Sequence, residues 1–375
     1  MRLLISFIAL SILFSSCRPN RESTDVPDTG NDYSDKFTIR QYGNFSLLTI
    51  INPWQNADEA GFTYVLSNGH HPVPDSLRTF PLIEVPVKNV VVFSTTHIGF
   101  IAALHEESTI TGASGLKYVY NKTVRQRIEE GKVKEAGYAP AVDYETIIRL
   151  HPGLVLLYGL NSSVTSIAER LAAVGIPSVI IAEYLEKHPL GKMEWIKVFG
   201  AFYQKEKLAG NLFSKAKERY HELSRIAGEA ATKPEVMVGL PWKDTWYMAG
   251  GNSFMARMIH DAGGLYLWAD NSSGEYIPLN LESVFMKAFS ARCWINTGTA
   301  RTLSQIAARD DRFTKLPVFG RQRIYNNDKR LNSLGGNDYW ESGVVHPDVI
   351  LWDLLKIFHP GLAPEHEFVY YRKLE

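Results

Sequence analysis

One stretch limits the possible folds more than any other. Residues 205–229 run without a proline, and Leu208, Leu212, Ala216, Leu223 and Ala227 recur at helical spacing. The opposite face carries Lys205, Glu206, Lys217, Glu218 and Arg225. At 1.5 Å per residue such a helix is roughly 40 Å long, enough to bridge two lobes rather than sit within one. Gly228 and Pro234 close it. On both sides of it, short apolar strands alternate with helical patterns. Strand candidates are 90–93, 154–158 and 178–181 before it, and 236–238, 246–248, 294–296 and 323–325 after it. Helical patterns cover 98–104, 144–150 and 164–174. This alternation predicts an α/β fold, two lobes with mainly parallel sheets joined by one long interlobe helix. Residues 37–66 read instead as an antiparallel strand pair at the edge of the first lobe. A chain of 375 residues also exceeds the roughly 250–300 that one core usually serves. The expected organisation is a first lobe at 37–203, the helix at 204–230 and a second lobe at 231–375.

The N-terminus adds an address. Arg2 precedes an apolar run over 3–14, then Ser15, Ser16 and Cys17. The run is shorter than the about 20 residues of a membrane-spanning helix and reads as a signal peptide over 1–16. A cysteine directly after two small residues makes the cleavage site a lipobox, with Cys17 as the acylated residue; a plain secretory signal with a coincidental cysteine is the alternative. Residues 17–36 are rich in Asp, Asn, Ser, Thr, Pro and Gly, which predicts a flexible tether between a lipid anchor and the folded body. An exported, lipid-anchored protein held at the envelope is expected. Apolar content of 45% supports a large core, and zero formal net charge argues against nucleic acid as a partner and against membrane contact other than through the anchor. Cys293, in a strand-like run, is expected to be buried and inert.

The order of these phrases resembles a known family, the helical-backbone (class III) substrate-binding proteins of ABC importers for siderophores, haem and cobalamin. The resemblance spans about 85–362. It starts with Val90-Val-Val-Phe-Ser-Thr-Thr-His-Ile-Gly-Phe-Ile-Ala-Ala-Leu, similar to the family's first strand, cleft loop and helix. Thr109-Ile-Thr-Gly, Asp143-Tyr-Glu-Thr-Ile-Ile-Arg-Leu and Leu171-Ala-Ala-Val-Gly-Ile-Pro continue it. His151-Pro152-Gly153 stands where the family usually has Lys-Pro-Asp. In the second half Gly251-Asn-Ser-Phe-Met-Ala-Arg-Met-Ile-His-Asp-Ala-Gly-Gly, Leu279-Asn-Leu-Glu-Ser-Val-Phe and Pro347-Asp-Val-Ile-Leu-Trp-Asp also match. The resemblance implies a monomeric receptor without a cofactor that captures a metal chelate, a ferric siderophore foremost and haem or cobalamin otherwise. It further implies delivery to a permease dimer, docked through Glu145 and Glu282, one glutamate per lobe. Without the resemblance, both read simply as favourable charges near helix N-termini.

Ligands of open α/β folds bind beyond the carboxyl ends of the strands, and here those loops are aromatic. The residues expected at the ligand are Thr96, His97, Tyr118, Tyr120, Tyr158, Trp242, Trp246, Tyr247, Asn252, Tyr339 and Trp340. Flat π surfaces suit a macrocycle or catecholate rings, although any one of these aromatics can equally pack a core. Asn252 or Ser253 is also the natural cap of the following helix. Two other function classes are open. A zinc or manganese receptor needs three or four converging ligands, whereas His70, His71, His97, His105 and His151 have no ligand-type spacing. An anchored enzyme needs a catalytic motif, and no Gly-x-Ser-x-Gly elbow, His-Glu-x-x-His pair or phosphate loop is present; Gly250-Gly251-Asn-Ser lacks the phosphate-loop lysine.

Overall fold

The structure, a computed structural model, describes residues 30–57, 59–69, 72–139 and 141–375. The signal peptide, the lipidation site Cys17, most of the tether, His70 and His71 lie outside the described residues.

Four strands open the chain, β1 (Phe37–Tyr42), β2 (Phe45–Ile51), β3 (Gly61–Ser67) and β4 (Leu82–Glu84). They form a sheet of their own in that order, larger than the expected pair, with β4 parallel to β3 and the rest antiparallel. Next come β5 (Val90–Val92), β6 (Ile110–Ala113) and β7 (Lys134–Glu135), a hairpin of β8 (Gly137–Tyr138) and β9 (Ala141–Val142), then β10 (Leu154–Leu157) and β11 (Ser178–Ile180). Five of these make an all-parallel sheet in the order β11-β10-β5-β6-β7. Every side chain of β5 and β10 is buried, because helices cover both faces. Those helices are α1 (Thr95–Ala103), α2 (Lys122–Glu129), α3 (Tyr144–Leu150) and α4 (Ser163–Ala173).

The connection between lobes is helical, through α5 (Pro189–Glu194), α6 (Ile196–Tyr203) and α7 (Glu206–Gly228). The 23 residues of α7 extend about 34 Å. Its buried stripe is Ala209, Phe213, Ala216, Tyr220, Leu223 and Ala227; Leu208 and Leu212 are only partly buried. The inward face of the first turns is thus one residue later than the leucines suggest, since small and aromatic residues fit against α6. Gly200 of α6 lets that contact close: a Cβ there would lie 2.7 Å from the Ala209 Cβ. Towards the second lobe, Tyr220 donates to Asp261 Oδ2 at 2.8 Å.

The second lobe contains β12 (Glu235–Val238), β13 (Thr245–Ala249), β14 (Leu265–Tyr266), β15 (Tyr276–Asn280), β16 (Cys293–Ile295), β17 (Ile324–Asn326) and β18 (Arg372–Lys373). Its main sheet runs β14-β12-β16-β17-β18, parallel except for β18, while β13 and β15 form a separate antiparallel ribbon. The helices are α8 (Phe254–Asp261), α9 (Leu281–Ala288), α10 (Leu303–Ala307), α11 (Pro317–Gly320) and α12 (Pro347–Phe358), and α12 packs along α7. Among the described residues no helix is long and apolar enough to cross a membrane. Cys293 is fully buried, and burial pushes its thiol up to about 11.

The end of the expected tether is not free. Buried Glu194 accepts the backbone N–H groups of Asp32, Tyr33 and Ser34 at 2.8, 2.9 and 2.9 Å. Lys217 of α7 pairs with Asp32 at 2.6 Å. Residues 31–36 are therefore fixed to the helical connection, because a desolvated carboxylate there finds its partners in that segment's backbone.

Candidate ligand-binding cleft

The cleft begins where β5 passes into α1. Ser94 is extended and its Oγ accepts the Thr96 N–H at 3.2 Å, capping the helix. Helix α1 thus starts at Thr95, three residues before the apolar pattern does, and residues 94–97 are its cap and first turn.

Ser94, Thr95 and Trp340 line two cavities between the lobes. The first, about 760 Å³, is walled by Thr96, Tyr158, Glu183, Tyr184 and Lys192 from one lobe, and by Phe254, Tyr276 and Trp340 from the other. The second, about 960 Å³, adds Phe93, Tyr118 and Tyr138 across from Asn337. Trp340 is half exposed and stands edge-on against Tyr339, centroids 4.7 Å apart. Tyr158 and Tyr184 pack at 4.9 Å, and the Tyr184 hydroxyl donates to the Gly159 carbonyl at 2.8 Å. Large π faces are therefore held at fixed angles on both sides of a solvent-open gap, a geometry for a flat or bulky ligand.

Charge sits at the floor. Glu183 is fully buried; its Oε1 accepts the Thr96 hydroxyl at 2.6 Å, and Oε2 has no hydrogen-bond partner among the described residues. Burial raises the Glu183 pKa and lowers that of Lys192, and their mutual attraction works against both shifts.

The cleft floor is braced by a segment of the second half laid across the first lobe. Glu341, 2% exposed, accepts the Tyr120 and Asn121 N–H groups at 2.8 and 2.6 Å. Asn332 Nδ2 donates to the Val119 carbonyl at 2.8 Å. Gly99 of α1 faces the Glu341 carbonyl so closely that a Cβ would lie 2.1 Å from its oxygen. Burial lifts the Glu341 carboxyl to about 7 despite the two N–H donors.

Of the residues expected at a ligand, Thr96, Tyr118, Tyr158 and Trp340 line these cavities. His97 does not: it is wholly buried beside Phe199, since one helical step from Thr96 turns it into the core, and burial lowers its pKa to about 3. Trp246 is also core. It is 1% exposed, packs on Trp294 and Phe313, and donates its indole N–H to the Val238 carbonyl at 3.0 Å. Tyr247, its neighbour on β13, points to the opposite, exposed face. Trp242 is exposed, in the turn it closes with Thr245, and lines neither cavity. Tyr120 edges an outer groove with Arg125 and Leu331. Asn252 spends its amide on the Ser272 carbonyl at 2.8 Å while Ser253 caps α8, and Tyr339 is buried behind Trp340. Glu183, Tyr184, Lys192, Phe254 and Tyr276 were not singled out from sequence. Glu183 and Tyr184 follow β11 directly, so the rule of carboxyl-end loops reaches them; nothing in the sequence marks Tyr276.

Glu145 and Glu282 occupy equivalent places. Asp143 caps α3 through the Thr146 N–H and Asn280 caps α9 through the Ser283 N–H, with each glutamate two residues after its cap and exposed. Among the described residues no group of three His, Cys, Asp or Glu side chains is arranged to hold a metal ion.

Comparison with known proteins agrees with this fold. A family model described as periplasmic binding protein matches residues 90–330. An uncharacterized lipoprotein of Methanocaldococcus jannaschii is 26% identical over 334 residues, 83% of this chain and 78% of its own. A periplasmic solute binding protein from Veillonella parvula superimposes with a TM-score of 0.59 at 16% identity, over 75% of this chain and 83% of that one. A periplasmic haem binding protein from Pseudomonas aeruginosa gives 0.58 at 14% identity, over 77% and 98%.

Proposed function

Because the chain belongs to the periplasmic binding protein family, we propose that it is an extracytoplasmic receptor that captures a metal chelate, a ferric siderophore foremost, in the interlobe cleft and delivers it to an ABC importer. The observation that carries this reading is the pair of aromatic cavities between two parallel-sheet lobes, walled by Tyr158, Tyr184, Tyr276 and Trp340. Haem and cobalamin are the other cargoes that such π surfaces suit, and one superimposable protein is a haem binder.

The exposed glutamates Glu145 and Glu282 would meet cationic side chains of a permease dimer. Opposed charges of this kind steer docking and fix its register while adding little to the receptor's own stability. Acylation of Cys17 would hold the receptor near that permease, which raises its effective concentration at the docking site; the related archaeal protein is named a lipoprotein. The helix α7 and the Glu341 brace both resist bending, so ligand capture should involve only a small hinge movement.

Gel filtration of the purified protein after mixing with haem, cyanocobalamin or a ferric siderophore tests the reading. One coloured chelate should co-elute with the protein in a one-to-one ratio. Elution of all of them as free ligand would reject it.

A further inference from the structure

The chemistry of the cleft lining separates chelates that family membership leaves together; the inference rests on the reading of this cleft as the ligand site. Three cations line the two interlobe cavities, Lys117, Lys187 and Lys192, against four carboxylates, Glu135, Glu183, Glu186 and Glu275. No arginine or histidine joins them among the described residues. Two of the cations already sit over rings, Lys117 Nζ 4.8 Å from the Tyr118 centroid and Lys192 Nζ 5.4 Å from that of Phe254. Burial raises the pKa of Glu183 and Glu186 and lowers that of Lys192, so the lining carries at most a small net charge. A polyanionic chelate entering here would shed its hydration and meet little opposite charge.

The hydroxyls at the lip point the same way. Each has a single proton to give. Thr96 donates its proton to Glu183 Oε1 at 2.6 Å, so in its 2.7 Å contact with Ser94 it must accept. Ser94 therefore donates to Thr96, while its own oxygen accepts the Thr96 N–H. Both protons are consumed inside the relay, so Ser94 and Thr96 present only acceptor lone pairs to the cleft. The direction of the whole row is set by the buried carboxylate at its end.

We infer that the cleft selects a chelate of low net charge whose metal is already fully coordinated, and that Glu183 is the positioning residue that keeps Ser94 and Thr96 as acceptors for amide or hydroxyl donors on that ligand. Neutral or cationic ferric trihydroxamates and corrinoids fit this description, and ferric catecholates, which carry three negative charges, do not.

Isothermal titration of the purified protein with ferrichrome, ferrioxamine B, cyanocobalamin and ferric enterobactin tests it. At least one of the first three should bind at least tenfold more tightly than ferric enterobactin. In Glu183→Leu no acceptor is left for Thr96, which frees the Thr96 proton to face the cleft, and that preference should shrink at least fivefold with circular dichroism unchanged. Thr96→Val, which keeps the shape and removes the relay hydroxyl, should shrink it likewise and serves if the leucine variant does not fold. Equal or tighter binding of ferric enterobactin overturns the inference, as does an unchanged preference in a folded variant. Binding of none of the four rejects the chelate-receptor reading itself, a separate outcome.

Discussion

Replacing Gly99 by alanine pits local propensity against packing, and the structure decides which should win. In the interior of α1 the change favours the helix by about 1 kcal/mol. The added Cβ, however, would lie 2.1 Å from the Glu341 carbonyl oxygen, 2.9 Å from its carbon and 3.0 Å from Val344 Cγ1. Relief to an ordinary contact needs a retreat of roughly 1 Å by backbone that a close-packed interior does not readily give. Overpacking of this kind costs about 1–3 kcal/mol. The retreat also pulls Glu341 from the Tyr120 and Asn121 N–H groups, bonds of 2.8 and 2.6 Å. Charged hydrogen bonds contribute about 1.5–3 kcal/mol each, and loss of about half of both brings the net destabilisation to about 2–5 kcal/mol. For a chain of this size 1 kcal/mol shifts the melting temperature by about 1.4 °C, so a fall of about 3–7 °C is expected by scanning calorimetry. Trp340 moves with the segment, and ligand affinity should fall as well. An unchanged or raised melting temperature would refute the claim that this contact braces the lobes.

Other perturbations address the remaining links. Burial raises the Glu341 carboxyl from 4.5 to about 7, so the folded state binds this proton more tightly than the unfolded chain. Its contribution is fully present below 4.5 and is lost as pH rises through 7, a change on the order of 3 kcal/mol. Urea denaturation at pH 5 and pH 8 should show a smaller difference in Glu341→Gln by that order, and an equal difference would contradict the assignment. Trp340→Ala removes a ring shared by both cavities and should weaken chelate binding by about 2 kcal/mol, roughly thirtyfold in Kd, in a fluorescence or calorimetric titration. Glu145→Arg with Glu282→Arg should leave ligand affinity and stability within about 0.5 kcal/mol while abolishing chelate-stimulated ATPase of the reconstituted importer. Small-angle scattering should show a change within about 0.5 Å on a radius of gyration of roughly 20 Å when chelate binds.

Much of the scaffold was legible because parallel strands buried on both faces are continuous apolar runs. Positions 90–93, 154–158 and 178–181 stood out for that reason, and α3 begins and ends where its pattern does. The site was less legible, and the failures have distinct physical causes. His97 was misplaced because an N-cap lengthens α1 backwards, which turns residue 97 inward while Thr96 stays at the lip. Trp246 and Tyr247 look alike in sequence; only pairing with β15, disguised by Pro278, sends one into the core and the other to the surface. Tyr120 and Glu341 meet across 221 positions, a contact no local pattern encodes. Glu183 shows the same limit: position after a strand is readable, burial of its charge is not.

The central claim, that a chelate binds between the lobes against Trp340, is tested most directly by tryptophan fluorescence during titration with a coloured chelate. Saturable one-to-one quenching is predicted, with the quenched amplitude clearly reduced in Trp340→Phe while binding persists. Saturable quenching whose amplitude is untouched by that substitution would place the ligand elsewhere and contradict the account.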